Sequence, residues 1–242
     1  MFGKKRKQEQ AAEKATAKKS VDSKSAGSEL ANSSAEDAAA QAAAKEAKSA
    51  PQDRAENGPY DASETPQMRP YVDLGSIKVV PREGLGLRLD VDQSTNRVMA
   101  VSLDFDGSVL QLQAFAAPKS KGLWHSVREQ LQQGLRAQNA TVKEQQGEFG
   151  PELLVAAQQG ENGQAQTVRF VGVDGPRWML RGVIVGPAAV DPQKAAAISA
   201  IFRDTVVVRG ENPMPPSELL PLKVPAAVGK PEGDTAETAI ES

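Results

Sequence analysis

The chain of 242 residues has no cysteine and a single histidine, His125. Without cysteine there is no disulfide framework, no thiolate zinc site and no cysteine nucleophile. One histidine rules out a multi-histidine metal centre. Aromatic residues make up only 4% of the chain, so a substantial part of it is not expected to build a core. No run of about 18 apolar residues occurs, so no transmembrane segment is expected. The basic N-terminus is followed by no apolar stretch of about 7–15 residues, so no secretory signal is expected and the expected location is cytoplasmic. No cofactor-binding fingerprint is legible: "REGLGLRL" holds Gly84 and Gly86 but leads into neither a phosphate loop nor a dinucleotide motif.

What is present is unevenly distributed. Between Phe2 and Tyr60 there is no aromatic residue, and the only large aliphatics are Val21 and Leu30. Such a segment cannot bury enough apolar surface to offset roughly 1–2 kcal/mol of backbone entropy per residue. Residues 1–58 are therefore expected to form a long disordered arm, basic and then alanine-rich. Within it, "SSAEDAAAQAAAKEAKSA" has helix propensity but no apolar stripe to dock. The first 24 residues hold eight basic against three acidic side chains, leaving 21 basic against 28 acidic in the rest. Lys4, Lys5, Arg6 and Lys7 open this electrostatic arm. A basic arm can meet nucleic acid or an anionic membrane surface, or stay solvated and touch nothing specifically.

From Ser76 onward the pattern is that of short strands and two helices. "SIKVVP" (76–81) and "LGLRLDV" (85–91) read as strands. In "RVMAVSLDFDGSVLQLQAFAA" (97–117), Asp106-Gly107 is a two-residue hairpin turn. Folding there sets Leu103 opposite Leu110, Val101 opposite Leu112 and Met99 opposite Ala114, three apolar pairs on one face. Residues 119–140 read as a helix with Trp124, Val127, Leu131 and Leu135 on its inner stripe. Strands are expected at 152–158, 166–173 and 177–185, the first two joined by the loop "QQGENGQAQ". A second helix starts after Asp191 as N-cap with Pro192 at its first position. Its stripe is Ala195, Ile198, Ile201, Phe202 and Thr205. "VVVRG" (206–210) reads as a last short strand. The proline-rich 212–225 is expected to lie across the body through Leu219, Leu220 and Leu222, and 226–242 to be disordered. The expected fold class is α+β: a mostly antiparallel sheet with two packed helices in the order β-β-β-β-α-β-β-β-α, forming one domain over residues 59–225.

"GPRWMLRGVIVG" (175–186) is the densest stretch. In an extended strand, Trp178, Leu180, Gly182 and Ile184 share one face, and Arg177, Met179, Arg181 and Val183 the other. Trp178 then reads as core, with Gly182 leaving space for Trp124 or the helix that carries it. Arg177 and Arg181 either point at water or join Arg169 of the neighbouring strand in an anion- or partner-binding surface. Asp90, Asp92 and Asp104 are weaker signals, fitting a solvated strand end or a hard-cation site. Asp104-Phe-Asp106-Gly107 lacks the remaining ligands of a calcium loop. His125 reads as a surface residue. No base, nucleophile and oxyanion donor assemble, so no catalytic residue is assigned.

"GPYD", "DLGSIKV", "LQLQAFAAPKSKGLW", "FGPELL", "GVDGPRWMLRGVIVGPAA", "FRDTVVVRG" and "LPLKVP" together resemble an actinobacterial family known only as a domain of unknown function. The resemblance runs from about residue 58 to 225 and implies an actinobacterial cytoplasmic protein, but no activity, cofactor or catalytic residue. By fold analogy alone, the order of final strands and C-terminal helix also resembles the PsbP and Mog1 type of sandwich. The functional expectation is a non-catalytic protein-interaction module, binding an unknown protein partner near Arg177, Arg181 and the "AAPKSKGLW" turn. One alternative is a nucleic-acid-associated protein using the arm, with help from Arg169, Arg177 and Arg181. The other is a small-ligand protein or enzyme with a pocket between helix and sheet.

Overall fold

In the computed structural model, residues 46–65, 69–157 and 166–225 are described. The arm lysines and Arg6, residues 158–165 and the tail 226–242 lie outside them. The main compact unit spans Ala47–Ser242. Its described part is α+β. Seven antiparallel strands form the large sheet: β4 (Gly86–Asp92), β5 (Arg97–Phe105), β6 (Ser108–Ala116), β7 (Thr141–Gly147), β8 (Gly150–Ala157), β9 (Gln166–Asp174) and β10 (Trp178–Val185). Their spatial order is β4-β5-β6-β10-β9-β8-β7. A small sheet of order β1-β11-β3-β2 gathers β1 (Tyr60–Asp61), β2 (Val72–Asp73), β3 (Ile77–Val79) and β11 (Val206–Val207). The helices are α1 (Arg54–Asn57), α2 (Trp124–Ala137) and α3 (Pro192–Arg203).

The hairpin forms where expected. Asp106 and Gly107 have φ of 46° and 71°, the paired left-handed conformations of the turn that matches strand twist. Leu103 pairs with Leu110, and Val101 with Leu112. The third pair does not form. Met99 is exposed, and the end of β6 is taken by the C-terminal segment instead: Leu220 N–H donates to the Ala114 carbonyl, and Ala116 N–H to that of Glu218. The proline-rich segment thus replaces β5 as the backbone partner where β5 diverges, and Leu220 is fully buried.

Three other expectations change. The 76–81 strand shortens to Ile77–Val79 and leaves the large sheet for the small one. An unexpected strand, β7, follows α2; its sequence TVKEQQG is polar because it is an edge strand paired on one side only. Residues 47–58, expected in the arm on composition, pack on the body. Ala50 touches the core, Ser49 and Asp174 exchange backbone and side-chain hydrogen bonds, and Arg54 pairs with Glu64 at 2.7 Å.

The large sheet has two unequal faces. On the first, Leu110, Leu112, Leu180 and Ile184 meet Ile198, Ile201 and Phe202 of α3, together with Leu74, Ile77, Val79 and Val207 of the small-sheet region. Asp191 caps α3, its carboxylate accepting the Gln193 N–H at 2.8 Å, as expected. A Cβ on Gly182 would lie 3.0 Å from the Phe202 ring, so this glycine admits α3 rather than Trp124. Trp124 lies on the second face, over Gly172, where a Cβ would sit 2.2 Å from its ring. There it clusters with Leu123 and Met179, and with the partly buried Phe115, Val127, Leu131 and Phe170.

Candidate functional site

Helix α2 is tied to the second face at its N-terminal end. Leu123, at the N-cap, offers no side-chain cap. Asp174, at the end of β9, does this work from a distance: its Oδ1 accepts the N–H of Leu123 at 2.8 Å and of Trp124 at 3.2 Å, and its Oδ2 that of Ser49 at 2.9 Å. Lys48 Nζ lies alongside, donating to the carbonyls of Gly175 and Pro176. Burial nonetheless pushes the Asp174 carboxyl above the usual aspartate range, outweighing these donors. Trp124 Nε1 donates to the Pro151 carbonyl at 2.7 Å. One flank of the helix is fastened to β7 by Arg128 and Gln132, both bound to Glu144.

The described residues cover the other flank only in part. The stripe Trp124, Val127, Leu131, Leu135 is buried only at Trp124; the remaining three are half-exposed. They line a groove of about 410 Å³ that runs along α2 from Ser126 to Gln138. Phe115 of β6, Arg181 of β10 and Ser217 of the C-terminal segment form its opposite wall. Gly134 opens onto it, with nothing within 4 Å of where its Cβ would be.

Arg181 is the polar feature of this groove. Its guanidinium lies over the Phe115 ring, 5.5 Å from the centroid, and donates from Nη2 to Gln113 Oε1. Its Nε is buried without a hydrogen-bond partner. Burial draws its pKa below the usual arginine value, although guanidinium stays charged. Several other arginines face carboxylates: Arg54 meets Glu64, Arg82 meets Asp204, Arg128 meets Glu144 and Arg203 meets Glu148, whereas Arg209 binds only the Asn212 carbonyl. Among the described residues Arg181 faces only an amide. A charge partly shielded from water and given no counterion gains when an anion arrives.

The three arginines singled out in the sequence do not assemble. Antiparallel register pairs Arg181 with Gly172 but Arg169 with Ile184, which places Arg169 on the first face. There Arg169 Nε donates to the Ala189 carbonyl at 3.2 Å and lies 3.9 Å from the buried Glu152. Arg177 is exposed ahead of β10. Of the three, Arg181 alone reaches the groove, and its apolar walls come from the expected inner stripe of α2 and from Phe115. Lys4, Lys5, Arg6 and Lys7 lie outside the described residues. The candidate cation ligands are occupied by protein: Asp90 accepts Ser102 Oγ and Gln111 Nε2, Asp104 pairs with Arg88, and Asp92 binds Ser94 in its own turn. Among the described residues no three potential ligands converge on a metal position. His125 is not a free surface group, since its Nδ1 lies 3.1 Å from Arg128 Nη2.

Residues 58–230 match the family described as protein of unknown function DUF3710. The chain belongs to this family. No curated protein and no solved structure matches it. The DUF3710 region contains every residue of the groove, from Phe115 to Ser217. Among the described residues no helix is long and apolar enough to cross a membrane.

Proposed function

We propose that the protein is a non-catalytic interaction module whose folded body holds a protein partner in the groove beside α2. The incompletely buried stripe Val127, Leu131 and Leu135 carries this reading: a helix with an apolar face normally buries it, and here that face borders an open groove with a charge at its wall. The described lining supplies one cation, two amides and two hydroxyls, a set suited to holding a ligand rather than transforming one. The expected binding surface, which took in Arg177, Arg181 and the "AAPKSKGLW" turn, thus narrows to Arg181 and extends along the flank of α2.

The experiment is affinity capture from lysate of the source cells with the full-length chain and its Leu131→Glu variant, at low and high salt. The reading expects a protein retained by the wild type in high salt and lost by the variant. Identical retention by both would overturn it. A second reading rests on the eight basic residues of the first 24: the arm recruits nucleic acid or an anionic membrane surface in the cytoplasm. Binding that salt strips and that disappears on deleting residues 1–24 would favour that reading.

A further inference from the structure

We infer that the occupant of the groove is an acidic protein segment that sets one carboxylate on Arg181 between apolar side chains. This rests on the reading of the groove as a partner site and adds the partner's chemistry. Three observations converge on it. The first is charge complementarity. Arg181 is partly shielded from water and stacked on Phe115, and among the described residues it is paired only with the neutral Gln113 while its buried Nε has no partner. Among the described residues no carboxylate lines the groove. An arriving carboxylate meets a guanidinium whose desolvation the fold has already imposed, so the charge-assisted hydrogen bonds it forms are strong. A basic or neutral occupant would leave that charge unanswered.

The second observation is shape. The wall of α2 from Ser126 to Gln138 is about 18 Å long at 1.5 Å per residue, the span of about five extended residues. The groove is an open trough rather than an enclosed cavity, and an enclosed cavity is what a small amphiphile needs to bury most of its surface. The third is the lining. Val127, Leu131, Leu135 and Phe115 offer a row of apolar contacts, while Gln130, Gln138 and Ser217 bring amide and hydroxyl groups to the rim. Backbone N–H and C=O groups of a peptide require such partners; an alkyl chain has no use for them.

The test is selection of a displayed library of random 12-residue peptides on the full-length protein. Selected peptides are then measured against wild type, Leu131→Glu and Arg181→Met. The variants are first checked by circular dichroism, and Arg181→Met is expected to fold because it removes an uncompensated charge and keeps the stem. The expected peptides carry one Asp or Glu among apolar residues and fail to bind Leu131→Glu. Changing their acid to the amide should weaken binding to wild type roughly 10- to 100-fold and change binding to Arg181→Met by less than about twofold. Neutral peptides that need Leu131 would overturn the acidic occupant while leaving the groove as a partner site. Peptides indifferent to Leu131→Glu would overturn both. So would an empty selection in which dodecanoate, titrated separately, perturbs the groove resonances: the occupant would then be a small amphiphile.

Discussion

The two faces of the seven-stranded sheet are covered by one long helix each, and the helices are used differently. Helix α3 buries Ala195, Ile198, Ile201 and Phe202 against the first face, with the small-sheet region packed beside it. Helix α2 buries only Trp124 and Arg128. The two tryptophans mark the contrast. Trp178 lies under the first face, its Nε1 donating to Asp61 at 2.8 Å, while Trp124 pins one end of α2 to the second. A helix that is anchored at one end and along one flank keeps its other apolar flank available. The first face supplies stability, and the second supplies a surface.

The largest effect that would test this contrast is a pair of truncations. Phe202 is fully buried and meets Phe149 edge-to-face at 4.7 Å. Phe202→Ala should cost about 3–5 kcal/mol, whereas Leu131→Ala on the half-exposed flank should cost about 1 kcal/mol or less. Urea unfolding followed by circular dichroism gives both values. Equal losses would mean that the two faces share one core and that the groove is merely a packing defect.

A smaller effect concerns the anchor of α2. Asp174→Asn replaces an acceptor of three N–H groups by an amide that must turn its own donors toward some of them. A loss of about 1–3 kcal/mol is expected, seen first in the fluorescence of Trp124. The pH dependence has a defined sign. Because burial raises the carboxyl pKa in the folded protein, the native state keeps its proton where the unfolded chain has lost it. The stability this contributes is present at acid pH and declines as pH rises from the ordinary aspartate value through the raised one. Asp174→Asn should flatten that decline; an unchanged slope above the ordinary aspartate value of about 3.9 would show that the caps, not burial, dominate at Asp174.

Much of the first face was legible in the sequence because local signals there agree with tertiary ones. The Asp106-Gly107 turn and the alternation of β6 fix the same register, and Asp191-Pro192 announces the start of α3. The second face was harder. The stripe on α2 shows that a helix has an apolar side but not what covers it. TVKEQQG has the polarity of a loop because β7 is an edge. Arg169 and Arg181 look equivalent in sequence, but the β9–β10 register pairs Arg169 with Ile184, an odd three residues from Arg181, and so sends the two to opposite faces. The role of Asp174 as a cap lies 50 residues from the helix it serves, beyond the reach of any local motif.

The smallest predicted effect is the most specific to the groove. Gly134 sits inside α2, where glycine costs roughly 0.5–1 kcal/mol relative to alanine. A Cβ there would meet nothing within 4 Å, so Gly134→Ala should stabilise the protein by about that amount, raising Tm by roughly 1–4 °C. No packing within the described body requires the glycine. If an occupant does, its backbone approaches α2 at Gly134, and the same variant should weaken binding of selected peptides while the melting temperature rises. Opposed changes in stability and binding would separate a groove shaped for a partner from one left open by incomplete packing; a stabilised variant that binds unchanged would place the occupant away from Gly134, toward Phe115 and Arg181.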